Sequence, residues 1–150
     1  MLKEGDSAPD IQLADDLGKP FNLSELKGKR VVLYFYPKAD TPGCTTEACE
    51  FRDAIRSFAQ KGAAIVGVSP DKPAAQARFK KKYDLPFTLL ADEEKSAAKA
   101  YGVWKEKNMY GRKVMGIERT TFVIGPDGKI EKIYNKVKAA GHAEQVLCEL

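Results

Sequence analysis

The sequence predicts an α/β sandwich, with helices packed on a partly parallel sheet that ends in one antiparallel hairpin. Three observations carry this expectation. Two uncharged runs, Val31-Val32-Leu33-Tyr34-Phe35-Tyr36 and Ala63-Ala64-Ile65-Val66-Gly67-Val68-Ser69, show the pattern of strands buried on both faces. The stretches that follow them carry apolar residues at helical spacing, such as Phe51, Ile55 and Phe58 at i, i+4 and i+7. Further on, Thr120-Thr121-Phe122-Val123-Ile124 and Ile130-Glu131-Lys132-Ile133-Tyr134 flank the tight turn Pro126-Asp127-Gly128-Lys129, which makes them a hairpin.

The elements follow in chain order. Residues 1–12 form an extended lead-in, kept out of a helix by Pro9. Gly18-Lys19-Pro20 turns the chain before Phe21-Asn22-Leu23, and Ser24 to Gly28 reads as a short helical turn. After the strand 31–36, a helix runs from Thr41 and Pro42 to near Gly62. The strand 63–69 leads to a second helix, from about Pro73 to Tyr83, capped by Asp71. Residues 86–90 make a third strand and residues 94–101 a third helix. Residues 102–116 lack a clean period and read as a long connection, which in a compact domain points to function. The hairpin follows, then a last helix from about Gly141. Residues 1–150 make one domain, with no repeat, linker or low-complexity segment.

The turn from the first buried strand into its helix, Pro37-Lys-Ala-Asp-Thr-Pro-Gly-Cys-Thr-Thr-Glu-Ala-Cys49, is where open α/β sheets place their sites. Thr41 is a good N-cap, Pro42 suits the first helical position, and Gly43 lets backbone come close to a ligand. Cys44 then falls in the first turn, where unpaired N–H groups and the helix dipole favour a thiolate. Glu47 and Glu50 act against that charge. Cys49 is five residues further on. On a straight helix this separation is about 500° of rotation and about 7.5 Å of rise, putting the Cα atoms roughly 8.6 Å apart. A disulfide spans no more than about 7 Å, so the two cysteines bond only if the helix unwinds. Cys49 reads either as a partner for an oxidised Cys44 or as a core cysteine. The small residues Thr45, Thr46 and Ala48 offer little packing against unwinding.

Composition narrows the function. The chain is 43% hydrophobic and 31% charged, with 25 basic and 21 acidic side chains giving a net charge of +4. The lysines are scattered apart from Lys80-Lys81-Lys82, a solvated helix face, so nucleic-acid binding is not expected. The first residues, Met1-Leu2-Lys3-Glu4-Gly5-Asp6, show no signal-peptide run, and no apolar window is long enough for a membrane span. The expected location is cytoplasmic. Three cysteines there point to redox or nucleophilic chemistry instead of a disulfide framework. Three cysteines and one histidine without close pairing do not make a zinc site. His142, the sole histidine, reads as an N-terminal helix residue, which argues against a Cys-His hydrolase. Cys148 reads as a half-buried helix residue.

At this point the chain resembles a known family. Pro37-x3-Thr41-x2-Cys44 looks like the peroxiredoxin active-site signature. The fuller Tyr-Pro-Lys-Ala-Asp-Thr-Pro-Gly-Cys-Thr-x-Glu-Ala-Cys is similar to the subgroup named after bacterioferritin comigratory protein. A second match is Gly116-Ile-Glu-Arg119-Thr-Thr-Phe-Val-Ile124, where that family carries an arginine just before a strand; Trp104 and Tyr110-Gly111 also resemble it. The resemblance spans nearly the whole chain. It implies a thioredoxin-like three-layer α/β/α sandwich with a mixed central sheet and an N-terminal extension. It also implies that Cys44 attacks hydroperoxides and becomes a sulfenic acid. Thr41 and Arg119 would donate to the thiolate and to the growing oxygen charge, and Pro37 and Pro42 would shape the pocket. Cys49 would resolve the sulfenic acid as an intramolecular disulfide, recycled by thioredoxin or a similar dithiol protein. No metal or organic cofactor is required, and a monomer is expected.

Two other readings share the fold. A disulfide oxidoreductase acting on proteins would use the same two cysteines, although their spacing is not C-x-x-C and Arg119-Thr120 stands where thioredoxins carry a cis-proline. A redox sensor without turnover would react with peroxide no faster than a free thiol. An apolar collar of Phe35, Phe87 and Trp104 would admit bulky hydroperoxides, or all three belong to the core.

Overall fold

The computed structural model describes residues 2–150, with Met109 described by its backbone alone. Met1, the first residue of the expected lead-in, lies outside the described residues. The elements are β1 (Gln12–Asp15), β2 (Pro20–Asn22), a 3-10 turn (Leu23–Leu26), β3 (Arg30–Phe35), α1 (Pro42–Asp53), α2 (Ile55–Gln60), β4 (Ala63–Ser69), α3 (Pro73–Tyr83), β5 (Thr88–Ala91), α4 (Ser96–Ala100), β6 (Trp104–Met109), β7 (Arg112–Ile117), β8 (Thr120–Ile124), β9 (Ile130–Tyr134) and α5 (His142–Glu149). Seven strands form one sheet in the order β2-β1-β5-β4-β3-β8-β9. β3, β4 and β5 run parallel, while β1, β8 and β9 pair antiparallel with their neighbours. The expected mixed sheet is present.

β3 lies at the centre because it has no polar face to offer water. Val31, Leu33 and Phe35 point into one core with Leu90, Ala98, Tyr101 and Phe122. Val32, Tyr34 and Tyr36 point into the other with Cys44, Phe51, Phe58, Phe79 and Val146. The period-2 alternation of a strand therefore builds both cores from one run. The second core binds α1, α2, α3 and α5 to the sheet, and the first binds α4 and the N-terminal segment. This is the three-layer thioredoxin-like arrangement.

Three expectations need correction, and one hairpin lies outside them. The long helix after Cys44 breaks at Ala54, whose N–H is shared between the carbonyls of Glu50 and Phe51 at 3.2 Å each. The backbone there (φ −97°, ψ 5°) leaves helical geometry, and no proline or glycine marks it. Asp71 does not cap α3, whose N-cap residue is Lys72. Its carboxylate instead accepts the Ala39 N–H at 2.8 Å and the Ser69 hydroxyl at 2.6 Å. Residues 102–116 are not an irregular connection: β6 and β7 form a two-stranded sheet turned at Tyr110-Gly111, both with positive φ. Before them, β1 and β2 form another unanticipated hairpin.

The C-terminal edge of the sheet is tied together by a buried polar network. The Tyr36 hydroxyl donates to Gln76 Oε1 at 2.6 Å, and Gln76 Nε2 donates to Ser69 Oγ and the Leu90 carbonyl, both at 2.8 Å. Gln76 thus joins β3, β4, β5 and α3, and through Ser69 and Asp71 it reaches the loop 37–41. Asp40, in a left-handed conformation, fastens the same loop to α3 through Lys82 at 3.0 Å and the Tyr83 hydroxyl at 3.0 Å. Replacing Gln76 by Leu orphans the buried Tyr36 hydroxyl, at about 1–3 kcal/mol, and takes a donor from Ser69 Oγ and from the Leu90 carbonyl. The expected loss in urea unfolding is about 2–4 kcal/mol, and a loss below about 0.5 kcal/mol would show that the network does not hold this edge together.

Candidate active site

The site grows out of the first turn of α1. Thr41 is its N-cap residue, in extended conformation, Pro42 opens it, and the Thr45 N–H closes the first helical bond onto the Thr41 carbonyl at 2.8 Å. Cys44 therefore lies in the first turn, with a side chain 1% exposed. A buried sulfur depends on protein donors for any charge it carries. The register that pairs Phe35 with Thr120 leaves Arg119 just beyond the end of β3, beside the loop that begins at Tyr36. Its backbone carbonyl accepts the Val137 N–H at 2.9 Å.

From this position the guanidinium bridges two groups on α1. Arg119 Nη2 donates to Cys44 Sγ at 3.2 Å, and Nη1 donates to Glu47 Oε1 at 2.6 Å. Cys44 and Glu47 are three residues apart on the helix and share a face. Gly43 leaves room for the approach, since a Cβ there would lie 3.2 Å from Arg119 Nη2. Glu47 is fully buried, and its second carboxylate oxygen has no hydrogen-bond partner. Burial pushes this carboxyl up to about 7; Arg119 pulls it down, and Glu50 adds to the rise. Burial works against the Arg119 charge, but Glu47 and Cys44 outweigh it and hold the guanidinium above its ordinary value.

The other sequence-derived residues are distributed as follows. Pro37 is half-buried and Pro42 exposed, flanking Cys44 in the loop and first turn. The Thr41 hydroxyl donates to the Lys38 carbonyl at 2.8 Å and makes no side-chain cap on α1. Cys49 is half-buried, one and a half turns along an unbroken α1, and all three cysteines are free thiols. Cys148 is exposed, not half-buried. Phe35 and Phe87 are buried in different cores on opposite faces of the sheet, and Trp104 packs beside the first, so the three form no collar. His142 is the first residue of α5, with Nε2 2.7 Å from the Thr121 hydroxyl; burial lowers its basicity.

Sequence reasoning missed two groups. The pairing of Glu47 was legible only as an i, i+3 neighbour of Cys44, without the burial that gives it meaning. Lys107, on β6, lays its side chain across Gly116, whose absent Cβ would meet Lys107 Cδ at 3.3 Å. Its ammonium is lowered by burial and by Arg119, against Glu118 and Cys44, placing this hairpin within the electrostatic reach of the sulfur.

Comparison with known proteins gives these groups a context. The model of the AhpC/TSA family matches residues 5–133. Peroxiredoxin Bcp of Bacillus subtilis is 51% identical over 97% of this chain and 93% of its own length. A variant of Xanthomonas campestris peroxiredoxin Q superposes with a TM-score of 0.89 at 42% identity, covering 93% of this chain and 88% of that one. A Xylella fastidiosa PrxQ variant superposes with a TM-score of 0.94 at 38% identity, over 99% and 95% of the two chains. With this sheet, a buried cysteine at a helix N-terminus and an arginine on its sulfur, the chain belongs to the AhpC/TSA family and, within it, to the peroxiredoxins of the bacterioferritin comigratory protein type, which are thiol peroxidases.

Proposed function

We propose that this chain reduces hydroperoxides through Cys44, and that the observation carrying this is the 3.2 Å contact from Arg119 Nη2 to a sulfur in the first turn of α1. The thiolate attacks the terminal oxygen of ROOH. The O–O bond breaks, the sulfur becomes a sulfenic acid, and RO⁻ leaves and takes up a proton as ROH. Negative charge spreads from sulfur over both oxygens in the transition state. Donors fixed in advance around that path are the expected catalytic device. Arg119 and the N-terminal N–H groups of α1 are the fixed donors. Thr41 becomes one when its hydroxyl turns from the Lys38 carbonyl towards the peroxide. Pro37 and Pro42 limit water at the thiolate.

Resolution follows within the same helix. Cys49 attacks the Cys44 sulfenic sulfur, an S–S bond forms, and water leaves. α1 must open for this, because an intact helix holds the two Cα atoms beyond disulfide reach. Ala48 is fully buried, so opening also exposes core, contrary to the weak packing expected from small residues. A dithiol protein such as thioredoxin then exchanges with the disulfide and restores both thiols. The cycle uses no metal or organic cofactor, and is proposed for a cytoplasmic monomer; among the described residues no helix is long and apolar enough to cross a membrane.

The direct test is stopped-flow reaction of the reduced protein with hydrogen peroxide and with a bulky hydroperoxide, followed by mass mapping. The expected outcome is fast consumption, a Cys44–Cys49 bond, and a single turnover retained in Cys49→Ser. Arg119→Met is expected to slow the first step roughly 100- to 1,000-fold, as loss of one transition-state donor does. Reaction at a free-thiol rate in the wild type, or no effect of Arg119→Met, would contradict the proposal.

Glu47 sets a second expectation. Its carboxyl is raised in the folded state, from 4.5 to about 7, so the folded protein binds the proton more tightly than the unfolded chain. The stability this contributes is complete below about pH 4.5 and is lost as pH rises through about 7. Glu47→Gln removes that dependence. Between pH 5 and 8 the wild type is expected to lose about 2–3 kcal/mol relative to Glu47→Gln in urea unfolding. Parallel pH profiles for the two proteins would show that Glu47 does not titrate in this range.

A further inference from the structure

The opening of α1 breaks a specific set of contacts, and one of them is unlike the rest. Gly141 is the N-cap residue of α5, with φ 82°, and has no side chain with which to cap the helix. Its N–H donates to Glu50 Oε1 at 2.8 Å. A carboxylate from α1 thus sits at the positive end of α5 and takes one of its orphan donors. Glu50 is the residue immediately after Cys49, so any movement that carries Cys49 towards Cys44 pulls on this bond.

The far side of the contact is held fast. His142, next to Gly141, is buried; its Nε2 lies 2.7 Å from the Thr121 hydroxyl on β8, the strand beside β3. Its ring meets Tyr134 of β9 edge-on at 5.3 Å between centroids, and also touches Phe51 of α1 at 5.9 Å. The anchor therefore belongs to the rigid sheet, and the carboxylate belongs to the segment that must move.

We propose that Glu50 is a positioning residue for resolution: through the Gly141 N–H it latches the middle of α1 closed and sets how fast Cys49 reaches the oxidised Cys44. This rests on the reading of Cys49 as the resolving cysteine. The chemistry is the step already balanced, Cys44–SOH with Cys49–SH giving the disulfide and water, with the hydroperoxide as the oxidant. A slower latch release lengthens the life of the sulfenic acid and so raises the chance that a second hydroperoxide carries it to the sulfinic acid.

The test compares wild type, Glu50→Ala and Glu50→Gln in stopped flow, with Trp104, the sole tryptophan, as the reporter and mass mapping of quenched samples. The peroxide-dependent first phase is expected to be equal in Glu50→Ala and Glu50→Gln, since both remove the charge that acts on Glu47 beside Cys44. The peroxide-independent second phase, disulfide formation, is expected to be roughly three- to ten-fold faster in Glu50→Ala, as befits one lost hydrogen bond. Glu50→Gln keeps an acceptor without the charge, and its rate is expected to fall between the other two. Sulfinic acid at high peroxide is expected to fall in the same order. A second phase in Glu50→Ala no faster than in wild type, with the Cys44–Cys49 bond mapped, overturns the latch alone. So does a Gln variant faster than the Ala variant. Absence of that bond in the wild type overturns the underlying reading of Cys49 instead.

Discussion

The Arg119 guanidinium, held between the Cys44 sulfur and the Glu47 carboxylate, is the interaction on which the rest of the site depends. It needs β8 to run antiparallel beside β3, so that the residue before β8 arrives at the mouth of the loop that leaves β3. Gly43 eases it, because a Cβ there would lie 3.2 Å from the guanidinium and push it back by a few tenths of an ångström. It also needs a helix that turns Cys44 and Glu47 to one side. The guanidinium in turn lets a buried carboxylate persist next to a nucleophilic sulfur. Without that cation the Glu47 carboxylate would be buried beside the sulfur with no partner for its charge.

In the proposed cycle the same geometry makes α1 both scaffold and moving part. Its N-terminal turn holds the sulfur against Arg119, which favours a closed helix. The proposed resolution by Cys49 requires that helix to open between the two cysteines, the stretch that carries Glu47 and the buried Ala48. Ties that hold α1 shut also include Arg52, whose guanidinium donates to the Tyr83 carbonyl at 2.7 Å. These contacts oppose the switch while Cys44 is reduced. In the proposed cycle oxidation weakens one of them, since a neutral sulfenic acid would not attract Arg119 as a thiolate would. On that proposal the chemistry loosens its own restraint.

Much of this was legible in the sequence because it rests on local rules. The uncharged run 31–36 predicted a strand with two buried faces, and Thr41-Pro42-Gly43 predicted a helix start with Cys44 in its first turn. Arg119 was different: before an apolar strand it reads as a surface charge, and only the motif resemblance singled it out. The β6–β7 hairpin was missed because Lys105, Glu106, Lys107, Arg112 and Lys113 erase the apolar alternation that marks a half-buried strand. Asp71 fitted the pattern of a helix cap, yet tertiary contacts with Ala39 and Ser69 claimed its carboxylate. The partners of Glu47 and Glu50 were out of reach for the same reason. Both are bonds between segments more than seventy residues apart.

The most direct measurement of this account is hydrogen exchange of the backbone amides of reduced and peroxide-oxidised protein, read residue by residue across α1. The expected result is loss of protection confined to about residues 44–50 once the Cys44–Cys49 bond has formed, with β3 and β4 unchanged. Full protection of α1 in the disulfide form would contradict the claim that one helix serves in turn as the site and as the switch.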